Sequence, residues 1–246
     1  ANNGAGIAGI NWVVKLMSLK FLDANGSGYL SDAELAFNKI RDLKNSGVNI
    51  RVSNNSWGGG GFTQSLKDAM QGVENLGVLN VCASGNSGVN ADVTPMYPAA
   101  YNNTGILSVA ASDSADAAAY FTNYGMANVD IAAPGVSTLS TVPTGTCALC
   151  DATGYKLLSG TSMATPHVAG VAAALFQANP SLTTEQARDV ILYPTSYDAM
   201  TDSRLKSTST AGRLNFAKVL SNSSGVPLNH FPLISPLSNI SAVAGQ

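Results

Sequence analysis

Residues 158–175 read Leu-Ser-Gly-Thr-Ser-Met-Ala-Thr-Pro-His-Val-Ala-Gly-Val-Ala-Ala-Ala-Leu. A turn of small residues runs into a segment of Ala, Val and Leu, and Ser162 stands at the junction. The segment reads as a buried helix from Ser162 to Ala178. A hydroxyl at a helix N-terminus meets the positive end of the helix dipole, which favours negative charge developing beside it. Ser and Thr are also ordinary cap residues, so spacing alone does not separate a nucleophile from a cap.

The chain on either side of this helix alternates strand and helix patterns. Val13–Leu22, Ile50–Asn54, Val78–Ala83 and Ile106–Ala111 read as strands. Between them, Asp32–Asn45 and Thr63–Leu76 read as helices, each stopped by a glycine, Gly47 or Gly77. A further helix is expected at Thr184–Leu192, with Thr183 and Gln186 as its capping box. Strands alternating with helices imply crossover connections and a parallel sheet, hence an α/β fold. From residue 221 to 246 the chain turns rich in Ser, Asn and Pro and reads as a tail or linker. Residues 1–220 then form one domain.

Composition narrows the function classes. Of the 246 residues, 45% are hydrophobic, enough for a sizeable core, and only 11% are charged. The average soluble protein carries about 25% charged residues, so Ser, Thr, Asn and Gly must cover much of this surface. Net charge is −2 with no basic run, which argues against a nucleic-acid partner. No apolar run approaches the roughly 18 residues of a membrane span. Ala1-Asn-Asn-Gly4 is not the charged start of a signal peptide.

Two local patterns invite a specific reading. Cys147-Ala-Leu-Cys150 fits a loop-stapling disulfide, a redox pair or half a zinc site. No second Cys/His pair exists to complete a zinc site, and the Thr/Gly/Pro-rich surroundings do not suit a redox pair opening a helix. A disulfide is favoured, and with it an oxidising, secreted or extracellular setting. Cys82, inside an apolar run, reads as a buried free thiol. Asp23–Glu34 nearly fits a calcium-binding EF-hand loop, but the segment before it is β-patterned rather than helical. The simpler reading is a Gly-rich turn into a helix capped by Ser31 and Glu34.

The words of the sequence add what spacing does not. "GTSMATPHVAG" (160–170) closely resembles the nucleophile motif of the subtilisin-like serine proteases, the subtilases. "SNNSWGGGG" resembles their substrate-binding strand and "CASGNSG" the segment carrying the oxyanion-hole asparagine. "FTNYG", "VDIAAPG" and "GRLNFAKVL" follow in the family's order. "NNGAGIAGINW" resembles the segment just after the catalytic histidine. The resemblance implies a parallel sheet flanked by helices on both faces, with the N-terminal strands of the domain absent from this chain. It implies endoproteolysis of a polypeptide substrate through an acyl-enzyme on Ser162, with Asn86 in the oxyanion hole. Ser56, Trp57 and Gly58, and Ala83, Ser84 and Gly85, fall along the substrate cleft. It implies no cofactor for the chemistry, but structural calcium, with Asn3 in one loop and the carbonyls of Ala99 and Tyr101 in a second cation site.

The departure is as plain as the match. The family's Asp and His motifs are expected upstream of residue 1, and neither occurs in these 246 residues. His167 lies five residues beyond Ser162 on the same helix, about 7.5 Å along the axis and about 140° round it. It is expected to be a hydrogen-bonded structural residue, and Asp130 a structural turn residue. The chain is therefore expected to need the N-terminal part of the same protease domain as a partner, and to be inactive alone. Its strand at Val13–Leu22, left at the sheet edge, is expected to promote self-association. The alternatives are a peptide-binding fragment and a weak Ser162-dependent esterase.

Overall fold

The computed structural model describes residues 2, 4–194 and 196–224. In chain order its elements are α1 (Leu30–Asn45), β1 (Val52–Asn55), α2 (Gln64–Glu74), β2 (Leu79–Ala83), β3 (Ile106–Ser112), β4 (Ile131–Pro134), β5 (Thr138–Thr141), β6 (Tyr155–Leu158), α3 (Thr161–Ala178), α4 (Thr184–Leu192), β7 (Tyr197–Ala199), β8 (Gly212–Leu214) and α5 (Phe216–Ser221). A six-stranded sheet runs β1-β2-β3-β4-β8-β7; only β7 is antiparallel to its neighbour. β5 and β6 form a separate antiparallel hairpin that leads into α3.

The strand period of two sets the layers. Leu79 and Val81 of β2, and Leu107, Val109 and Ala111 of β3, turn to one face and pack with Val168, Val171 and Leu175 of α3. Val78, Cys82 and Ile106 turn to the other face and pack with Phe37 and Ile40 of α1 and Met70 and Val73 of α2. Burial on both faces explains why β2 and β3 read as near-continuous apolar runs. The small side chains of α3 allow close approach. A Cβ on Gly170 would lie 2.9 Å from Ile10, so the N-terminal segment crosses the helix there.

Expected and observed elements agree for the three strands 50–55, 78–83 and 106–112 and for the long helices, within two residues or so. Thr183 and Gln186 form the expected capping box of α4. Two expectations fail. α1 begins at Leu30 behind Tyr29, without a side-chain cap, because Glu34 instead accepts a hydrogen bond from Ser65 of α2 at 2.6 Å. That contact also removes Glu34 from any calcium loop on Asp23, whose Oδ1 is occupied by the Asn25 and Ser27 amides.

The second failure is the strand at Val13–Leu22, which is absent. No helix or strand lies in the described residues before Leu30, and Val13 and Leu16 are 80% and 92% exposed. A strand exists only where a neighbour pairs its N–H and C=O groups, and none does so here. Only Leu19 and Phe21 of this segment reach the second core cluster. The edge of the sheet on this side is β1 instead, so Val13–Leu22 offers no strand edge.

Asp130 does more than close a turn. Its Oδ2 accepts the Ser108 amide at 2.8 Å and its Oδ1 the Arg188 guanidinium at 2.6 Å, tying β3, the start of β4 and α4 together. Arg188 also donates to the Ile106 carbonyl. Removing one partner of a buried pair leaves the other charge uncompensated. Asp130→Ala is expected to lower stability by about 3 kcal/mol, read as a fall in the urea midpoint. An unchanged midpoint would contradict this role.

Candidate active site

Ser162 is the second residue of α3, and a proline fixes its surroundings. Pro166 sits inside α3 and has no N–H, so the Ser162 carbonyl loses its i+4 donor. Ser56, just after β1, takes that place: its Oγ donates to the Ser162 carbonyl at 2.8 Å. In return the Ser162 hydroxyl donates to the Ser56 carbonyl at 3.0 Å. This reciprocal pair fastens the N-terminus of α3 to the loop leaving β1.

Asn86 is held from the other side. Its Oδ1 accepts both the amide and the hydroxyl of Thr161, at 2.8 and 2.9 Å. That choice turns its Nδ2 donors away from Thr161, and a Cβ built on Gly160 would stand 3.6 Å from Nδ2. The loop under Asn86 is shaped by Asn123. Its Nδ2 donates to the Ser84 carbonyl, its Oδ1 accepts the Ser87 and Val89 amides, and its own N–H donates to the Gly85 carbonyl. Gly85 is required here: its φ is +107°, and any Cβ would collide with the Asn123 amide. Thr161 and Asn123 were not singled out as site residues in the sequence. Both lie inside quoted motifs, but their part is to position other groups, and nothing in a hydroxyl or amide side chain announces that.

The other residues expected along a substrate cleft lie just after β1 and around the end of β2. Ser56, Trp57 and Gly58 follow β1. The Trp57 ring meets Phe21 edge-on at 5.1 Å, and Gly58 faces Met96 and the Tyr97 carbonyl. Ala83 is the last residue of β2, and Ser84 and Gly85 follow it; the Ala83 and Ser84 side chains are buried, and the Ser84 and Gly85 backbone groups are engaged by Val109, Asn123 and Thr161. Ala99 and Tyr101 are core residues, with the Tyr101 hydroxyl bonded to Thr63. A cation there would have only their main-chain carbonyls to use. Asn3 and His230 lie outside the described residues. No group of three or more His, Cys, Asp or Glu able to hold a metal occurs among the described residues.

His167 does not approach Ser162 as a base: its Nδ1 is 2.9 Å from the Met163 carbonyl, one turn back on α3. Cys82 is buried and free, and burial pushes its thiol up, so it carries no nucleophilic charge. Cys147 and Cys150 are joined, in the loop between β5 and β6. Closing so short a loop gains about 2 kcal/mol at most. Unfolded but unreduced protein should take up alkylating reagent at Cys82 alone, and at all three cysteines after reduction. Three alkylated sites without reductant would refute the bond.

Comparison with known proteins agrees with the fold. The subtilase family model matches residues 1–220. M-protease of Shouchella clausii is 40% identical over 189 residues, 76% of this chain and 44% of that protein. Subtilisin Savinase of Lederbergia lenta is 40% identical over the same length, 63% of that protein. Among solved structures, a protease of Pseudoalteromonas arctica superposes with a TM-score of 0.75 at 30% identity, covering 91% of this chain and 67% of that one. A cold-adapted subtilisin-like serine proteinase gives 0.61 at 32%, covering 80% and 63%. The chain belongs to the subtilase family of serine proteases. It spans about half to two thirds of the length of these relatives. No helix among the described residues is long and apolar enough to cross a membrane.

Proposed function

We propose that this chain carries the nucleophile and oxyanion side of a secreted subtilisin-type endopeptidase. Ser162 Oγ attacks the peptide carbonyl and forms the acyl-enzyme. Asn86 Nδ2 donates to the oxygen that becomes negative, with the N-terminal end of α3 adding its positive potential. An extended substrate runs between the Ser56–Gly58 strip on one side and the Ala83–Gly85 segment on the other. The proton of Ser162 goes to a histidine that these 246 residues do not supply, together with the aspartate that orients it.

The observation that carries the reading is the paired fixation of Ser162 by Ser56 and of Asn86 by Thr161. Nucleophile and oxyanion donor are anchored through adjacent residues of one helix turn. The Cys147–Cys150 bond supports an oxidising, extracellular setting. A peptidyl boronate, which mimics the tetrahedral adduct on a serine, tests the assignment directly. It should bind the native sequence and lose affinity in Ser162→Ala; equal binding to both would reject Ser162.

A further inference from the structure

A line of buried polar side chains runs from the core to the cleft strip. The Trp57 indole N–H donates to Asn55 Oδ1 at 3.3 Å, and Asn55 Nδ2 donates to Ser53 Oγ at 2.9 Å. Ser53 Oγ donates to Asn80 Oδ1 at 2.6 Å, and Asn80 Nδ2 donates to Glu74 Oε1 at 3.2 Å. Ser53 and Asn80 are register partners on β1 and β2, which brings the two strands' polar groups together. All four donors point the same way, towards the carboxyl of Glu74. Asn80 is fully buried and Glu74 is 5% exposed, at the end of α2. Such a chain in a low-dielectric interior is cooperative: charge at its end polarises each bond along it.

The carboxyl itself sits in an unusual place. Glu74 Oε2 is buried without a hydrogen-bond partner, and so is Asn103 Oδ1. The Asn80 amide is the hydrogen-bond donor to this carboxyl, while the nearby Gly105, Asn103 and Gln71 groups favour its charged form more weakly than burial opposes it. Gly105 allows the close approach, since a Cβ there would stand 2.8 Å from Glu74 Cγ. A proton on Oε2 turns one orphan acceptor into a donor; ionisation leaves Glu74 Oε2 and Asn103 Oδ1 both without a donor. Burial holds the acid up to about 7.

Among the described residues no ion pair reaches Glu74. On α1, the Arg41 Cδ lies 4.0 Å from where a Cβ on Gly72 would stand. On α2, Lys67 offers Asn103 its carbonyl and not its ammonium. On α4, Glu185 accepts from Thr104, while Arg188 serves Ile106 and Asp130. On β2, the Cys82 thiol is kept neutral.

We infer that Glu74 is a proton-sensitive positioning residue for the cleft strip, its ionisation felt at the Trp57 indole through Asn80, Ser53 and Asn55. Trp57's place in a substrate cleft rests on the proposed function; the relay itself does not. With Glu74 ionised, the line ends on a full negative charge and the Trp57–Asn55 bond tightens. With Glu74 neutral, Oε1 accepts weakly and the strip after β1 loosens. Stability runs the opposite way. The folded carboxyl keeps its proton to about pH 7, whereas the unfolded chain releases it near 4.5. Stability is therefore full below about pH 4.5, falls as pH rises to 7 and is flat above; the unfolding constant rises roughly 10²-fold across that window.

The test is a pH titration of the two indole N–H resonances of the chain, Trp57 and Trp12. The Trp57 signal should move with a midpoint near 7, in step with the loss of stability, and Trp12 should not follow. Glu74→Gln should abolish both effects. Asn80→Leu should silence Trp57 while leaving stability pH-dependent, and it keeps the relay testable if Glu74→Gln does not fold. A Trp57 resonance unmoved between pH 5 and 9, or one that moves equally in Asn80→Leu, would overturn the inference. Neither result bears on Ser162, so the relay and the proposed catalytic role fail separately.

Discussion

The chain by itself should digest casein no faster than its own Ser162→Ala variant. The Ser162 hydroxyl donates to the Ser56 carbonyl, an acceptor that cannot carry its proton away. A serine hydroxyl becomes an effective nucleophile only when a base within hydrogen-bond reach takes that proton. His167 is engaged one turn away, with Met163. Without a base, a serine triad falls by about 10⁴–10⁶-fold, to the residual that binding and oxyanion stabilisation supply. An activated ester needs less assistance than an amide, so slow Ser162-dependent ester cleavage is compatible with the same account. Casein cleavage by the pure chain at ordinary protease rates, lost in Ser162→Ala, would contradict it.

In an enzyme whose Asp and His are restored, Asn86→Ala should lower turnover by about 10²–10³, or roughly 3–4 kcal/mol of transition-state stabilisation. KM should change little, because the donor meets an oxygen that is charged only in the transition state. The structure adds a second arm. Thr161→Val keeps the shape but removes the hydroxyl that shares Asn86 Oδ1, leaving the backbone N–H as its only tether. It should lower turnover less than Asn86→Ala, since the donor remains and only its aim is loosened. A loss in Asn86→Ala confined to KM would mean the amide binds substrate and does not stabilise charge.

Much of this architecture was legible because burial writes a strong pattern. β2 and β3 are covered by helices on both faces, so their apolar runs could hardly be read as anything else. Thr183 and Gln186 announced α4 because a capping box is local chemistry, complete within four residues. Val13–Leu22 misled for the converse reason. Its residues suit a pleated surface, but β structure is conferred by a partner strand and not by the segment itself. The capping box expected at Ser31 and Glu34 failed because a tertiary contact with Ser65 captured the glutamate.

The site divides the same way. Motif words single out Ser162 and Asn86, and the structure tethers Ser162, in the first turn of α3, to Ser56, and Asn86, in the loop after β2, to Thr161. The tethers themselves were illegible. The carbonyl freed by Pro166 finds its donor 106 residues away in sequence, and Asn123 reaches back 39 residues to Ser84. Glu74 gave no signal at all, as an acid in an amphipathic helix looks like any surface residue until the sheet buries it.

The central claim is that Ser162 is a nucleophile awaiting a base. The most direct test extends the chain with a segment carrying the family's Asp and His motifs, taken from a relative such as subtilisin Savinase. Peptide hydrolysis is then compared with and without Ser162→Ala. The account predicts that activity appears on extension and drops by at least about 10⁴-fold in the variant. Hydrolysis that survives Ser162→Ala undiminished would show that the nucleophile lies elsewhere.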